Sequence, residues 1–211
     1  SRGNWTENSM NLSNNLIVNK SKPLVGLVRI PGDKSISHRS IILGSISSGI
    51  LKIKNFLKSD DCLATVSAMK LLGADISFNE DEIIINGVGL DGLKQPNVVI
   101  DAGNSGTLIR LLSGILVSQN FKSTLTGDDS LRKRPMGRII DPLINCGAKI
   151  SSNNHKAPIV IDKCNDLSPI RYSQSIASAQ VKSCLILAAL FIEGQSTFYE
   201  TIPTRDHTEN L

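Results

Sequence analysis

Apolar residues recur along this chain in stretches of one design. Leu63, Val66, Met69, Leu71 and Leu72 fall at helical spacing, with Asp60 or Asp61 as N-cap and Gly73 as the C-terminal stop. Ile139, Ile140, Leu143 and Ile144 repeat the pattern up to Gly147, and Pro142 inside it predicts a short or kinked helix. A β pattern follows each helix, at 74–78 with 83–85 and at 148–150 with 158–161. Upstream of each lies a small polar turn, around Ser35, Ser105 or Ser178. Each turn leads into an apolar helix, a glycine or polar turn, a strand, and an Asp-rich helix start near Asp60, Asp128 or Asp206. The three serines stand 70 and 73 residues apart. One order of elements at nearly constant spacing marks a structural repeat, and each unit reads β-α-β-α-β-β.

The third copy is unfinished. Five residues follow Asp206, whereas unit one runs 28 residues from Asp61 to Gly89. A helix body and a hairpin are expected to be missing, which would leave apolar surface uncovered and marks the chain as truncated in its third unit. Residues 1–21 read as an N-terminal tail and lead strand, and residues 22–211 as the repeat domain. The Asn/Ser-rich opening lacks the apolar stretch of a signal peptide, and Met10 is the expected start.

Composition narrows the class. With 40% hydrophobic and 20% charged residues the chain is globular rather than disordered, and no apolar run is long enough to span a bilayer. Aromatics make up only 4%, so the core must come from the 26 isoleucines and 24 leucines. Cysteines at 62, 146, 164 and 184 form no CxxC pair, and histidines at 38, 155 and 207 form no HxxxH. That argues against zinc and a disulfide framework, and reads each cysteine as a small buried hydrophobe in a reducing compartment. The net charge of +4 is mild and favours an anionic small molecule over a long nucleic acid.

The chemistry gathers at the turns. Gly32, Asp33, Lys34 and Ser35 invite a P-loop reading, but GxxxxGK(S/T) needs a Gly-Lys pair, and Asp33 separates Gly32 from Lys34. What remains is a turn entering a helix, with free N–H groups, the Ser35 hydroxyl and the cations Lys34 and Arg39. It suits a phosphate or carboxylate; an ordinary N-cap with solvated cations fits equally. Gly103 to Thr107 is the same device with two glycines, and a plain turn is its alternative. Ser178, Ala179 and Gln180 offer a hydroxyl and an amide at a third helix start, near Lys182. Arg132, Lys133, Arg134 and Arg138 make either a solvated basic turn or arginine forks aimed at a carboxylate. Asp206 to Glu209 reads as a capping box. Equivalent openings of repeated units would converge at one end of the domain, and three helix N-termini together make an anion trap.

PGDKSISHR, GNSGT, RPMGR, SAQVKS and TRDHTE, in this order, resemble the 5-enolpyruvylshikimate-3-phosphate synthase family from about Lys22 to Leu211, in its bacterial SAQVKS/TRDHTE branch. The resemblance implies an α/β fold of β-α-β-α-β-β units about a pseudo-threefold axis, in two domains, of which this chain carries roughly the first half. It implies transfer of the enolpyruvyl group of phosphoenolpyruvate to the 5-hydroxyl of shikimate 3-phosphate, releasing phosphate, in the route to chorismate and aromatic amino acids. No metal or organic cofactor is implied. Lys34 resembles the lysine shared by both substrates, and Ser35 and Arg39 resemble ligands of shikimate 3-phosphate. Gly106 resembles the glycine lining the phosphoenolpyruvate pocket, and Arg134 the arginine holding its carboxylate. Ser178, Ala179 and Gln180 match the segment gripping the 3-phosphate, with Ala179 where other branches carry serine. Arg205 matches a substrate-side arginine, and Arg110 a mainly structural one. The family's acid and base lie beyond residue 211, so the chain alone is expected to be inactive. The full-length protein is expected to be a cytoplasmic monomer with small-molecule substrates, touching neither nucleic acid nor membrane.

Two rivals remain. The enolpyruvyl transferase of UDP-N-acetylglucosamine shares the fold, but no cysteine sits in the turn near Arg132 and Arg134. An RNA-binding βαβ-repeat module would use the basic patch at 132–138, against which the scarcity of aromatic stacking platforms argues.

Overall fold

A computed structural model describes residue 17 and residues 19–23, 25–79 and 82–211. The chain divides into two units, Ser1–Ile30 and Pro31–Leu211. Most of the expected tail and lead strand at 1–21 lies outside the described residues, and the described residues of the first unit carry no helix or strand.

The second unit contains the repeats. The first copy comprises α1 (Lys34–Ile46), β1 (Ser48–Lys54), α2 (Asp60–Leu71) and the hairpin β2 (Asp75–Asn79) and β3 (Glu82–Val88). The second comprises β4 (Ile100–Asp101), α3 (Gly106–Leu116), β5 (Ser123–Thr126), a short α4 (Asp129–Lys133), α5 (Gly137–Asn145) and the hairpin β6 (Lys149–Asn153) and β7 (Lys156–Asp162). The third comprises β8 (Arg171–Gln174), α6 (Ala179–Ala189) and β9 (Thr197–Glu200).

Sheet order makes the equivalence plain. One sheet runs β1-β3-β2 and the next β4-β5-β7-β6, so β1 and β5 hold the same place beside the long strand of a hairpin. In the second copy β4 lies parallel to β5, as β8 lies parallel to β9 in the third. Among the described residues the β-α-β-α-β-β order expected of each unit is complete in the second copy alone, with α4 added. Among the described residues, 25–30 ahead of α1 enter no ladder.

The centre is α3, where Leu108, Ile109, Leu111, Leu112, Ile115 and Leu116 are all fully buried. A helix apolar on every side is stable only when surrounded, each such side chain contributing roughly 1.5–3 kcal/mol on burial. α6 lies against it so closely that a Cβ on Gly114 would stand 2.1 Å from the Cys184 carbonyl oxygen. Nothing in the sequence pattern marks Gly114 as the crossing point of two backbones.

Several boundaries differ from expectation. The N-cap of α2 is Ser59, whose hydroxyl accepts from the Cys62 N–H, and Asp60 and Asp61 occupy the first turn. The N-cap of α1 is Asp33, which accepts the Ile36 N–H at 2.8 Å, so Ser35 lies inside the helix. The equivalent positions are therefore Asp33, Ser105 and Ser178, spaced 72 and 73 residues apart. A short polar side chain in extended conformation is what the position requires, and carboxylate and hydroxyl serve alike. The expected capping box at Asp206 is absent. The Asn210 N–H closes a single turn on the Asp206 carbonyl at 3.1 Å, and Glu209 reaches Lys182 instead. Cys62, Cys146 and Cys184 are buried as expected, but Cys164 is half-exposed, its thiol donating to the Gly147 carbonyl. α5 is short, nine residues with Pro142 inside it.

Candidate functional site

The first turns of α3 and α6 are bolted together side by side. The Gln180 amide donates to the Thr107 hydroxyl at 3.0 Å, and its carbonyl accepts from Arg110 Nη1 at 2.8 Å. The same Nη1 donates back to the Gly106 carbonyl at 3.1 Å. Thr107 and Gln180 are each the second residue of their helix, so the two N-termini end level. α1 joins one turn further in, where Arg39 Nη2 donates to the Ser183 hydroxyl at 2.7 Å. The starts of α1, α3 and α6 therefore share one end of the fold.

None of these three helices has an acidic residue in its first turn, whereas α2 and α4 both do. Each N-terminus carries roughly half a positive charge from its aligned peptides. At α3 and α6, whose caps are the neutral hydroxyls of Ser105 and Ser178, that charge is left uncompensated and favours an anion, while at α1 the Asp33 cap offsets part of it. Ser178 caps α6 by accepting the Val181 N–H, which leaves its own O–H to donate outward. Ala179 begins α6 and offers only its backbone.

Arg134 reaches this end from the C-cap of α4, and it is held on aim. Its Nη2 donates to the Asn104 carbonyl oxygen at 2.6 Å, the Asn104 amide donates to Asp128 at 2.7 Å, and Asp128 accepts the Leu131 N–H at 2.7 Å. The Asn104 contact, then the Leu131 one, hold the Asp128 carboxyl below the usual range. A Cβ on Gly106 would lie 2.7 Å from Arg110 Nη1 and 3.1 Å from Arg134 Nη1, so this glycine is where two guanidinium groups rest on bare backbone. Burial, and then the nearby Arg134 charge, pull the Arg110 pKa down. A cleft of about 290 Å³ opens beside this cluster, lined by Arg110, Arg138, Met136, Ser178 and Gln180 among others.

At α1, Lys34 pairs with Asp61 in the first turn of α2. Ser35 is half-buried, and its carbonyl accepts from Arg39 Nη1 at 3.0 Å. Arg39 differs from a solvent-facing ligand. It is 3% exposed, and its remaining donors go to Thr208 at 2.6 Å and to Ser183. Behind it, buried His38 meets the Thr65 hydroxyl at 2.6 Å; burial first, and the Lys34 charge second, lower its pKa to about 4. Arg205 is exposed, with no carboxylate in ion-pair range among the described residues.

Sequence reasoning missed Asp61 and Asn104 as partners of Lys34 and Arg134, and Asp128 as the residue that holds Asn104; the polar residues of GNSGT were the available signal for Asn104. Among the described residues no group of three or more His, Cys, Asp or Glu is placed to hold a metal. No helix there is long and apolar enough to cross a membrane.

Repeated α/β units that gather capped helix starts, backbone N–H groups and arginine forks at one end have the chemistry that suits an anion. The class can be narrowed. The family model for EPSP synthase (3-phosphoshikimate 1-carboxyvinyltransferase) matches residues 18–211, and the chain belongs to that family. It is 52% identical over 195 residues to the 3-phosphoshikimate 1-carboxyvinyltransferase of Ruthia magnifica subsp. Calyptogena magnifica, covering 92% of this chain and 45% of that protein. Against the protein of that name from Listeria monocytogenes serotype 4a (strain HCC23) it is 48% identical over 198 residues, covering 93% and 46%. The solved structure of EPSP synthase from Acinetobacter baumannii superposes with a TM-score of 0.83 at 46% identity, over 87% of this chain and 42% of that one. The chain thus spans under half the length of these relatives.

Proposed function

We propose that this chain forms the substrate-holding wall of an enzyme that transfers the enolpyruvyl group of phosphoenolpyruvate to the 5-hydroxyl of shikimate 3-phosphate. In that reaction the 5-hydroxyl loses its proton as its oxygen bonds to C2 of phosphoenolpyruvate and C3 gains a proton, giving a tetrahedral intermediate; C3 then gives up a proton as the bond from C2 to the phosphate oxygen breaks, which restores the double bond and releases inorganic phosphate. The observation that carries the proposal is the shared end of α1, α3 and α6, free of acidic first-turn residues and furnished with arginines. Ser178, Gln180 and the backbone of Ala179 hold the 3-phosphate, with Arg205 beside them. Lys34 and Ser35 meet the shikimate ring side, and Arg39 braces the Ser35 carbonyl from behind. Arg134 binds the phosphoenolpyruvate carboxylate above Gly106.

These groups bind, orient and neutralise charge. The nearby carboxylates are engaged, Asp61 with Lys34 and Asp128 with Asn104 and Leu131, which suits neither to proton transfer. On this proposal the acid and base belong to a part of the protein outside these 211 residues, and the whole protein is a cytoplasmic monomer acting on small molecules. In the basic patch at 132–138, Arg132 pairs with Asp129 and Arg134 with Asn104, which favours the small-molecule reading over a nucleic-acid one.

Phosphate release is the test. A protein spanning the full length of the relatives should release phosphate from the two substrates together, and the 211-residue chain should not. Release by the short chain would refute the division of labour, and silence from the long one would refute the activity.

A further inference from the structure

Lys182 has no part in the site as described, yet its side chain is only 5% exposed. Its Nζ meets Glu200 at 2.8 Å and Glu209 at 2.5 Å. Glu200 ends β9 and Glu209 closes the turn that follows, so the two carboxylates bracket Arg205 in sequence. The second Glu200 oxygen accepts from the Thr204 hydroxyl at 2.6 Å. Beside Glu209, Thr208 accepts from Arg39 Nε at 2.6 Å and lies 2.6 Å from the Ser183 hydroxyl. Both flanks of Arg205 are thus tied to adjacent residues of α6, roughly one turn beyond Ser178. Burial lowers the Lys182 pKa, and the two carboxylates together outweigh it and raise the net value. Arg205 is close enough to depress the Arg39 pKa, after burial and against Glu209.

Removing an ammonium group from water carries a large desolvation penalty, and an apolar residue of similar volume often stabilises a fold as well or better. A lysine buried beneath two partly exposed carboxylates is thus better explained by geometry than by stability. We infer that Lys182 is a positioning residue: by clamping Glu200 and Glu209 it fixes the segment that carries Arg205 against the first turns of α6, and so sets the preference of the site for a phosphorylated over an unphosphorylated ligand. This rests on the function proposed above.

The test is calorimetric titration of the 211-residue chain with shikimate 3-phosphate and, separately, with shikimate. The parent chain should bind the phosphorylated ligand more tightly. Glu209→Gln should weaken shikimate 3-phosphate about tenfold, as loss of one charge-assisted contact would, and change shikimate less than about twofold. Arg205→Ala should do the same, and the double variant should be no weaker than Arg205→Ala, because both act through one group. Thr208→Val should repeat the selective loss and Thr208→Ser should restore it, which keeps the test intact if Lys182→Met does not fold. Equal weakening of both ligands, additive losses, or an unchanged Glu209→Gln would overturn the inference. A parent chain that binds shikimate 3-phosphate without preferring it overturns the inference alone; one that binds neither overturns the functional reading as well.

Discussion

Gly106→Ala probes the site with one methyl group. The position is the first residue of α3, so alanine fits the backbone and gains up to about 1 kcal/mol in helix propensity. The new Cβ would lie 2.7 Å from Arg110 Nη1 and 3.1 Å from Arg134 Nη1, against ordinary contacts of 3.4–4 Å. Both neighbours are ends of flexible side chains, so they swing away and the fold survives. Arg110 then loses its hold on the Gln180 carbonyl and the Gly106 carbonyl, now 2.8 and 3.1 Å away. Hydrogen bonds from a charged donor are worth about 1.5–3 kcal/mol each, and partial recovery elsewhere leaves a net loss of about 1–2 kcal/mol in the site. The part that displaces Arg134 weakens phosphoenolpyruvate, the ligand it holds, and the part that frees Gln180 from Arg110 gives a smaller loss in shikimate 3-phosphate. Phosphoenolpyruvate affinity, titrated with shikimate 3-phosphate saturating, should fall about tenfold, and the apparent KM of a full-length protein should rise to match. Shikimate 3-phosphate affinity should change less than about threefold, and stability by less than about 1 kcal/mol. An unchanged phosphoenolpyruvate affinity in a folded variant would refute the placement of that ligand over Gly106.

Arg134→Ala should weaken phosphoenolpyruvate by about tenfold to a hundredfold and shikimate 3-phosphate much less, while Asn104→Ala, which only releases Arg134 from its aim, should give a smaller loss of the same kind; equal losses of both ligands would contradict the assignment. Gly114→Ala should destabilise the fold by about 1–3 kcal/mol, because the obstruction is the Cys184 backbone rather than a side chain, lowering Tm by several degrees in a thermal melt. His38 gives the fold an acid limit: its pKa is about 4 when folded against 6.5 unfolded, so the unfolded state binds the extra proton first. Its contribution is complete above about pH 6.5 and is lost as pH falls toward 4, by up to about 3 kcal/mol at 1.36 kcal/mol per unit. Urea midpoints of His38→Gln measured from pH 7 to pH 4 should show a shallower fall than the parent, and an identical slope would show that another group sets the limit.

The repeat was legible because its signals are local. Glycine stops, capping residues and helical spacing recur about every 70 residues whatever they pack against. The turn around Ser35 is capped two residues earlier, at Asp33, since Asp33 and Ser35 are both acceptable caps and only the backbone shows which one is extended. Among the site residues, those at helix starts stood out by type and place. Their partners did not. Asp61 lies 27 residues from Lys34, and Asp128 lies 24 from Asn104, distances that no periodicity links. Arg39 shows the same limit from the other side. An arginine in a basic turn suggests a solvent-facing ligand, but Thr208, 169 residues away, buries it. Gly114 was invisible for a like reason, because its neighbour belongs to the next repeat.

Direct titration of shikimate 3-phosphate into the 211-residue chain bears most closely on the claim that three helix starts form an anion seat. One equivalent should bind, with affinity lost when Gln180 and Arg110 are both replaced by alanine in a chain that still folds. Absence of binding by the parent chain, or binding untouched by that double replacement, would contradict it.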